Sequence, residues 1–306
     1  MRQTNNLHIV AAEPLVSPEA LRTDMPASAQ AYDTVADTRE AIAAILRGED
    51  SRRLVVIGPC SIHDPVAAME YAHFLKPLAD ELNDRIVVLM RVYFEKPRTS
   101  IGWKGLINDP HLDGSCDMPT GMRTARRLLL ELAEMGLPTA TEILDPITPQ
   151  YFAELISWAA VGARTTESQT HREMASGLSM PIGFKNSTDG SLQAAVNAMI
   201  SARQPHKFLG INGWGQVSVV STTGNANTHV VLRGSDKGPN YSPRHLAAIR
   251  AVLEESGFKP RVMVDCSHGN SEKDHNRQPL VVENLMAQAA AGEEAIMGFM
   301  IESNLV

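Results

Sequence analysis

At 306 residues, with 43% apolar side chains and a net charge of −7, the chain can bury one large α/β core or two smaller ones. That charge gives no footprint for nucleic acid or an anionic membrane, and no apolar run approaches a membrane span. The start, MRQTNNLHIVAAEP, lacks the charged-then-apolar order of a signal peptide, and three cysteines (Cys60, Cys116, Cys266) argue against a disulfide framework, so a cytoplasmic location is expected.

Residues 1–50 carry Pro14, Pro18 and Pro26 and one helical pattern, Asp37–Leu46, stopped by Gly48; they read as an N-terminal extension. A strand–helix rhythm then fills 51–306. Leu54–Gly58 is a short apolar strand, and Asp64-Pro65 caps a helix disturbed later by Pro77. Ile86–Val92 is a second strand. After a polar loop the helix Gly121–Glu134 aligns Met122, Ala125, Leu128, Leu129 and Leu132 on one face, and Gly136 ends it. Thr139–Leu144 (strand), Gln150–Ala159 (helix), Ala160–Arg164 (strand) and a short helix near Arg172–Gly177 follow. Pro181–Lys185 and the helix Ser191–Ala202 come next, and Phe208–Ile211 begins a sixth strand. Pro243–Glu255 is a helix between Ser242 and Gly257; Arg261–Val264 is a strand; Val281–Ala291 is a helix ended by Gly292; and Ala295–Ile301 is the last strand.

Eight short buried strands alternating with helices over roughly 250 residues predict a (β/α)8 TIM barrel. A doubly wound sheet is the rival, but no G-x-G-x-x-G or Walker motif follows the first strand. Two places break the rhythm. Gln216–Thr222 alternates, Gly224-Asn225 reads as a turn and His229–Leu232 is again apolar, which predicts a hairpin inserted after the sixth strand, at about 214–233. The sequence also ends four residues past Glu302, so the last barrel helix is expected to be missing, with lower stability or reliance on a partner subunit.

In such barrels the chemistry lies at the carboxyl ends of the strands. Those ends supply Cys60, Arg91 with Lys96 and Arg98, Glu142, Arg164, Lys185, Arg233, then Asp265-Cys266-Ser267-His268, and Glu302. One arginine alone is ordinarily a solvated surface residue. Six cations on one mouth repel one another and call for an anionic ligand, and arginine forks suit phosphate and carboxylate. Cys60, His268 and Glu302 offer sulfur, nitrogen and oxygen from strands that become neighbours on closure, a mixed set suited to Mn, Fe, Co or Zn. A buried apolar thiol and a hydrogen-bonded structural imidazole are the competing readings for Cys60 and His268. Cys116 and Cys266 receive no role; His63, His111 and His171 are placed in loops near the mouth.

Several blocks resemble one family. Gly58–Pro65 (GPCSIHDP), Arg91–Ile107 (RVYFEKPRTSIGWKGLI), Ala160–Ala175 (AVGARTTESQTHREMA), Gly183–Gly190 (GFKNSTDG), Val264–Asn270 (VDCSHGN) and Met300–Ser303 run through nearly the whole chain. They are similar to class I 3-deoxy-D-arabino-heptulosonate 7-phosphate (DAHP) synthases. The resemblance implies a transferase that condenses phosphoenolpyruvate with erythrose 4-phosphate and releases phosphate, the entry to the shikimate pathway. It assigns Arg91, Lys96, Gly162, Ala163, Arg164, Lys185 and Arg233 to phosphoenolpyruvate, with Glu142 in the same substrate-binding set. Arg98 and Thr99 go to the sugar phosphate, and Cys60, His268 and Glu302 to one divalent metal ion.

On this resemblance the metal polarises the aldehyde, Lys96 moves a proton or orients water, and the Arg/Lys cluster offsets the substrates' charge. The family's fourth metal ligand, an Asp after the eighth strand, is absent from this sequence, which stops before it. The extension and hairpin imply a homodimer or homotetramer inhibited by tyrosine or phenylalanine, with Pro149, Gly177, Leu178 and Ser179 in segments resembling the regulatory site. The alternative is a catalytically weak barrel that binds an aromatic amino acid and regulates an intact relative.

Overall fold

The computed structural model describes residues 2–304; Val306, where the sequence stops, lies outside them. Two helices come first, α1 (Pro18–Asp24) and α2 (Ala29–Arg47). The barrel runs β1 (Arg53–Gly58), α3 (Pro65–Glu81), β2 (Ile86–Arg91), α4 (Met118–Glu134), β3 (Thr139–Glu142), α5 (Pro149–Phe152) with a 3-10 turn, and β4 (Trp158–Val161). It continues through α6 (Gln169–Ala175), β5 (Ile182–Lys185), α7 (Leu192–Ala202) and a hairpin of β6 (Lys207–Ile211) and β7 (Val217–Ser221). Then come β8 (Thr228–Leu232), α8 (Pro243–Glu255), β9 (Val262–Asp265), a 3-10 turn, α9 (Gln278–Ala290) and β10 (Ile296–Glu302). Eight of these strands close in the order β1-β10-β9-β8-β5-β4-β3-β2, all pairs parallel, so the predicted barrel is the observed one. Among the described residues no helix is long and apolar enough to cross a membrane.

Local chemistry accounts for the helix ends. The Asp64 carboxylate accepts from the amides of Val66 (2.8 Å) and Ala67 (3.4 Å), and Pro65 has no amide to leave unpaired. Ser28 caps α2 by accepting from Ala31, and Gly48 closes it in the left-handed region at φ 72°. The α4 face read from the sequence is the buried one, packed against the barrel. A second apolar cluster fills the barrel itself, and Ile42 and Ile45 of α2 belong to it with Leu54, Val56, Leu89, Trp158 and Met300. The segment read as an extension therefore plugs the amino-terminal end of the barrel.

The hairpin is not where the sequence placed it. Phe208–Ile211 is no barrel strand: β6 pairs antiparallel with β7 alone, with Leu209 opposite Val219. The hairpin thus precedes the sixth barrel strand, and Thr228–Leu232, assigned to its second arm, is that strand and is buried at every residue. Burial explains the exchange, because β6 keeps one face in solvent whereas a barrel strand is covered on both. The helix over 150–159 is also shorter than expected. It ends at Leu155, and Trp158 begins β4 two residues ahead of the predicted start. Along β1 the outward Val55 and Ile57 are only half-buried, unlike the outward residues of β3, β4 and β5.

Candidate active site

A cavity of about 400 Å³ opens at the carboxyl ends of the strands. Lining it are Cys60, Arg91, Lys96, Arg98, Glu142, Ala163, Arg164, Lys185, Arg233, His268 and Glu302 from the sequence-read set. Seven cationic side chains face it against four acidic ones, on a chain of net charge −7. Gly162 lies just behind the wall, where any side chain would strike Glu142. Thr99 does not line the cavity and is exposed on the loop beyond Arg98.

Arg91 ends β2 at 2% exposure. Its guanidinium donates to the carbonyls of Pro59 (3.1 Å) and Cys60 (3.2 Å), pairs with Glu302 Oε1 at 3.0 Å and stacks 3.6 Å over the Tyr93 ring. Gly58 makes this approach possible: a Cβ there would stand 2.9 Å from the Arg91 carbonyl, and its φ of 153° suits glycine. Lys185 ends β5 with Nζ 3.3 Å from Asp265 Oδ2 and 3.7 Å from Glu142 Oε2. Burial opposes its charge, but Tyr93, Asp265 and Glu142 outweigh that and raise its pKa above the ordinary lysine value. Lys96 is half-buried, and its Nζ donates to Cys60 Sγ at 3.3 Å and Ser61 Oγ at 3.2 Å.

His268 sits in the left-handed region at φ 54°, a strained place for a histidine and one that marks functional loops. Its Nδ1 lies 2.9 Å from Asp265 Oδ2 and 2.7 Å from Ser267 Oγ, which turns Nε2 toward Glu302 Oε1, 3.9 Å away. Burial would push the Asp265 carboxyl up, but His268, Lys185 and Arg91 hold it well below the usual carboxylate range. The donors suit a borderline divalent ion: an imidazole oriented by a buried carboxylate, a carboxylate at ligand-sharing distance, and a thiol on the same wall. Among the described residues no three His, Cys, Asp or Glu side chains form a ready-made metal cluster, and Cys60 is engaged by Lys96 instead.

Sequence reasoning missed several residues here. Asp265 orients His268, and Tyr93 lies beside both Arg91 and Lys185. Ser61, Glu95, Asp236 and Lys273 also line the cavity. Asp265 had a legible signal, since it ends a barrel strand three residues before His268. Cys266 is buried with its thiol pushed up, by burial first and then by Asp265, while Cys116 is exposed, so neither enters the site. His171 contacts Ser168 Oγ and the Leu144 carbonyl, and exposed His111 lies 3.3 Å from Asp117.

The regulatory candidates lie elsewhere. Pro149 opens α5, which α1 reaches through an Arg22 bond to the Gln150 carbonyl at 2.8 Å. The hairpin turn meets α1 where the Glu19 backbone amide donates to the Gly213 carbonyl at 2.7 Å. Gly177, Leu178 and Ser179 follow α6, and the hairpin's Thr222 packs on Gly177 and bonds Ser176 at 2.6 Å.

The chain is 58% identical over 301 residues to the Tyr-sensitive phospho-2-dehydro-3-deoxyheptonate aldolase of Escherichia coli K12, spanning 98% of this chain and 84% of that one. To the Phe-sensitive enzyme of the same strain it is 53% identical, over 99% of this chain and 87% of that one. The structure of a phospho-2-dehydro-3-deoxyheptonate aldolase from Francisella tularensis SCHU S4 superposes with a TM-score of 0.95 at 52% identity, covering 97% of this chain and 87% of that one. The family model for the DAHP synthetase I family matches residues 24–306. The chain belongs to the DAHP synthetase I family.

Proposed function

We propose that this chain joins phosphoenolpyruvate to erythrose 4-phosphate, giving DAHP and inorganic phosphate. The observation that carries the reading is the single cavity on which Arg91, Lys96, Arg164, Lys185 and Arg233 meet His268, Glu302 and Cys60. Cys60, His268 and Glu302 would hold a divalent metal, which would supply electrophilic activation of the sugar aldehyde.

The protein's own residues do the rest. Arg164, Lys185 and Arg233 bind the carboxylate and phosphate of phosphoenolpyruvate and fix its enol carbon toward the aldehyde carbon. As that carbon–carbon bond forms, positive charge grows on the carbon bearing the phosphate, and water adds there. Loss of phosphate then leaves the keto group. Lys96 stands at the mouth between the Cys60 and Ser61 side chains, where its ammonium can pass a proton to the new alkoxide or orient the water. Arg98, whose Nε donates to the Trp103 carbonyl at 2.8 Å, presents its remaining guanidinium nitrogens to the second phosphate, with Thr99 beside it.

Both tyrosine- and phenylalanine-sensitive enzymes are similar to this chain, which supports feedback by one of these amino acids near Pro149 and Gly177–Ser179. The outer hairpin face carries exposed Leu209, Val217 and Val219, which supports burial against a second copy in a homodimer or homotetramer, with residues 1–50 taking part. The test of the reaction is release of phosphate from phosphoenolpyruvate. It should require erythrose 4-phosphate and stop when a chelator is added. Amino-acid binding without any such release would favour a purely regulatory barrel.

A further inference from the structure

We propose that Glu95 is a positioning residue for Lys96, latching the cavity loop that carries Lys96 to the Asp145–Thr148 segment after β3. The inference rests on the placement of Lys96 in the substrate site. One Glu95 oxygen accepts from the Asp145 amide at 3.2 Å and the other shares a hydrogen bond with Thr148 Oγ1 at 3.1 Å. Thr148 in turn donates to the Asp145 carbonyl at 3.1 Å and leads directly into α5. On the other side the Lys96 amide donates to the Lys104 carbonyl at 2.8 Å, so the loop is closed on itself. The backbone of Gly105 presses on Phe94 and Glu95, where an added Cβ would stand 2.7 Å from Glu95 Cα. Glu95 is therefore gripped from two sides, and any shift of its backbone moves Lys96 and its ammonium relative to Cys60 and Ser61.

The latch has an unusual electrostatic setting. Glu95 is 6% exposed, and its hydrogen-bond partners are an amide and a hydroxyl. Among the described residues no cation pairs with it. The charged groups around it are Asp145 across the contact, Lys96 and Lys104 on its own loop, and Glu142, Arg164 and Lys185 lining the cavity. Burial first, and then the charge of Asp145, push its carboxyl up to about 8. Near neutral pH the latch is an uncharged acid. On ionising it places a buried negative charge beside the exposed Asp145; burial and that repulsion outweigh its two hydrogen bonds, which loosens the latch and draws Lys96 off Cys60 and Ser61.

The experiment is the pH dependence of kcat for the metal-loaded enzyme between pH 6 and 10, beside Glu95→Gln, Glu95→Ala and Thr148→Val. With the latch titrating near 8, kcat of the parent should be about fivefold lower at pH 9 than at pH 8. In Glu95→Gln, which cannot ionise, the same ratio should stay under about twofold. Glu95→Ala should lose roughly 10²-fold in kcat at pH 7, a deficit that narrows as the parent falls at alkaline pH, with a smaller change in phosphoenolpyruvate affinity by calorimetry. Thr148→Val should fall between. An alkaline limb kept in Glu95→Gln, or parental kcat in Glu95→Ala, overturns the proposal.

A stability readout stands apart from turnover. Glu95 binds its proton more tightly folded than unfolded, so the parent should lose stability relative to Glu95→Gln as pH rises from about 4.5 through 8. A melting-temperature gap that does not widen over that window also overturns it. Normal turnover in Lys96→Ala would instead sink the placement of Lys96, a distinguishable failure.

Discussion

Asp265 Oδ2 lies 2.9 Å from Nδ1 of His268, which also meets Ser267 Oγ at 2.7 Å, and together they turn Nε2 toward the cavity. With Nδ1 occupied, Nε2 is the nitrogen directed at Glu302 and the one we propose as metal ligand. Asp265→Asn should therefore weaken binding of Mn, Co or Zn by roughly 10–100-fold while the barrel stays folded. Titration of the metal-stripped protein, with circular dichroism as the fold control, measures this. Parental affinity in the variant would show that Asp265 serves Lys185 alone.

Lys185 is buried between two carboxylates, 3.3 Å from Asp265 and 3.7 Å from Glu142. Lys185→Met leaves both acids without their cation and should cost about 3–5 kcal/mol in urea unfolding. Adding Glu142→Gln to that variant should recover part of the loss. A cost below about 1 kcal/mol would mean the acids find other partners.

His229 lies inside the barrel, where its Nε2 accepts from Trp158 Nε1 at 2.9 Å. Burial lowers its pKa from 6.5 to about 4, against a smaller opposing pull from the Val230 carbonyl. The unfolded chain thus binds the proton more readily, and the stability held above pH 6.5 drains as pH falls toward 4. In His229→Gln the drop in melting temperature between pH 7 and pH 4.5 should shrink. An unchanged drop would assign acid lability to other groups.

The hairpin offers a separate check. Leu209, Val217 and Val219 are 79%, 81% and 68% exposed, a cost in water that a second copy would remove. Val219→Asp should lower the mass seen by light scattering and leave the melting of the barrel nearly unchanged. A parental assembly state in the variant would place the interface elsewhere.

Much of the fold was legible because barrel strands are short, apolar and spaced by amphipathic helices with caps such as Asp64 and Gly48. The exchange of Phe208–Ile211 with Thr228–Leu232 shows the limit. Both are apolar runs, and only the cover on both faces, a tertiary fact, separates a barrel strand from a hairpin arm. Trp158 likewise reads as helical in the sequence, because the period of a four-residue segment is ambiguous. At the site, the gathering of strand-end cations with Cys60, His268 and Glu302 on one cavity could be read from position alone. Glu95 could not, since its importance comes from burial and from a partner distant in sequence, Thr148; Asp265 could be placed at a strand end, but its pairing with Lys185 could not.

On the proposed function one cavity runs the condensation through its own cations, with Lys96 at the reacting centre. The most direct test is erythrose 4-phosphate-dependent phosphate release by the metal-loaded parent and by Lys96→Ala, with melting temperature measured for both. Steady turnover is expected in the parent and a loss of at least roughly 10³-fold in the variant at unchanged melting temperature. Comparable turnover in the two proteins, or phosphate release that ignores erythrose 4-phosphate, would contradict it.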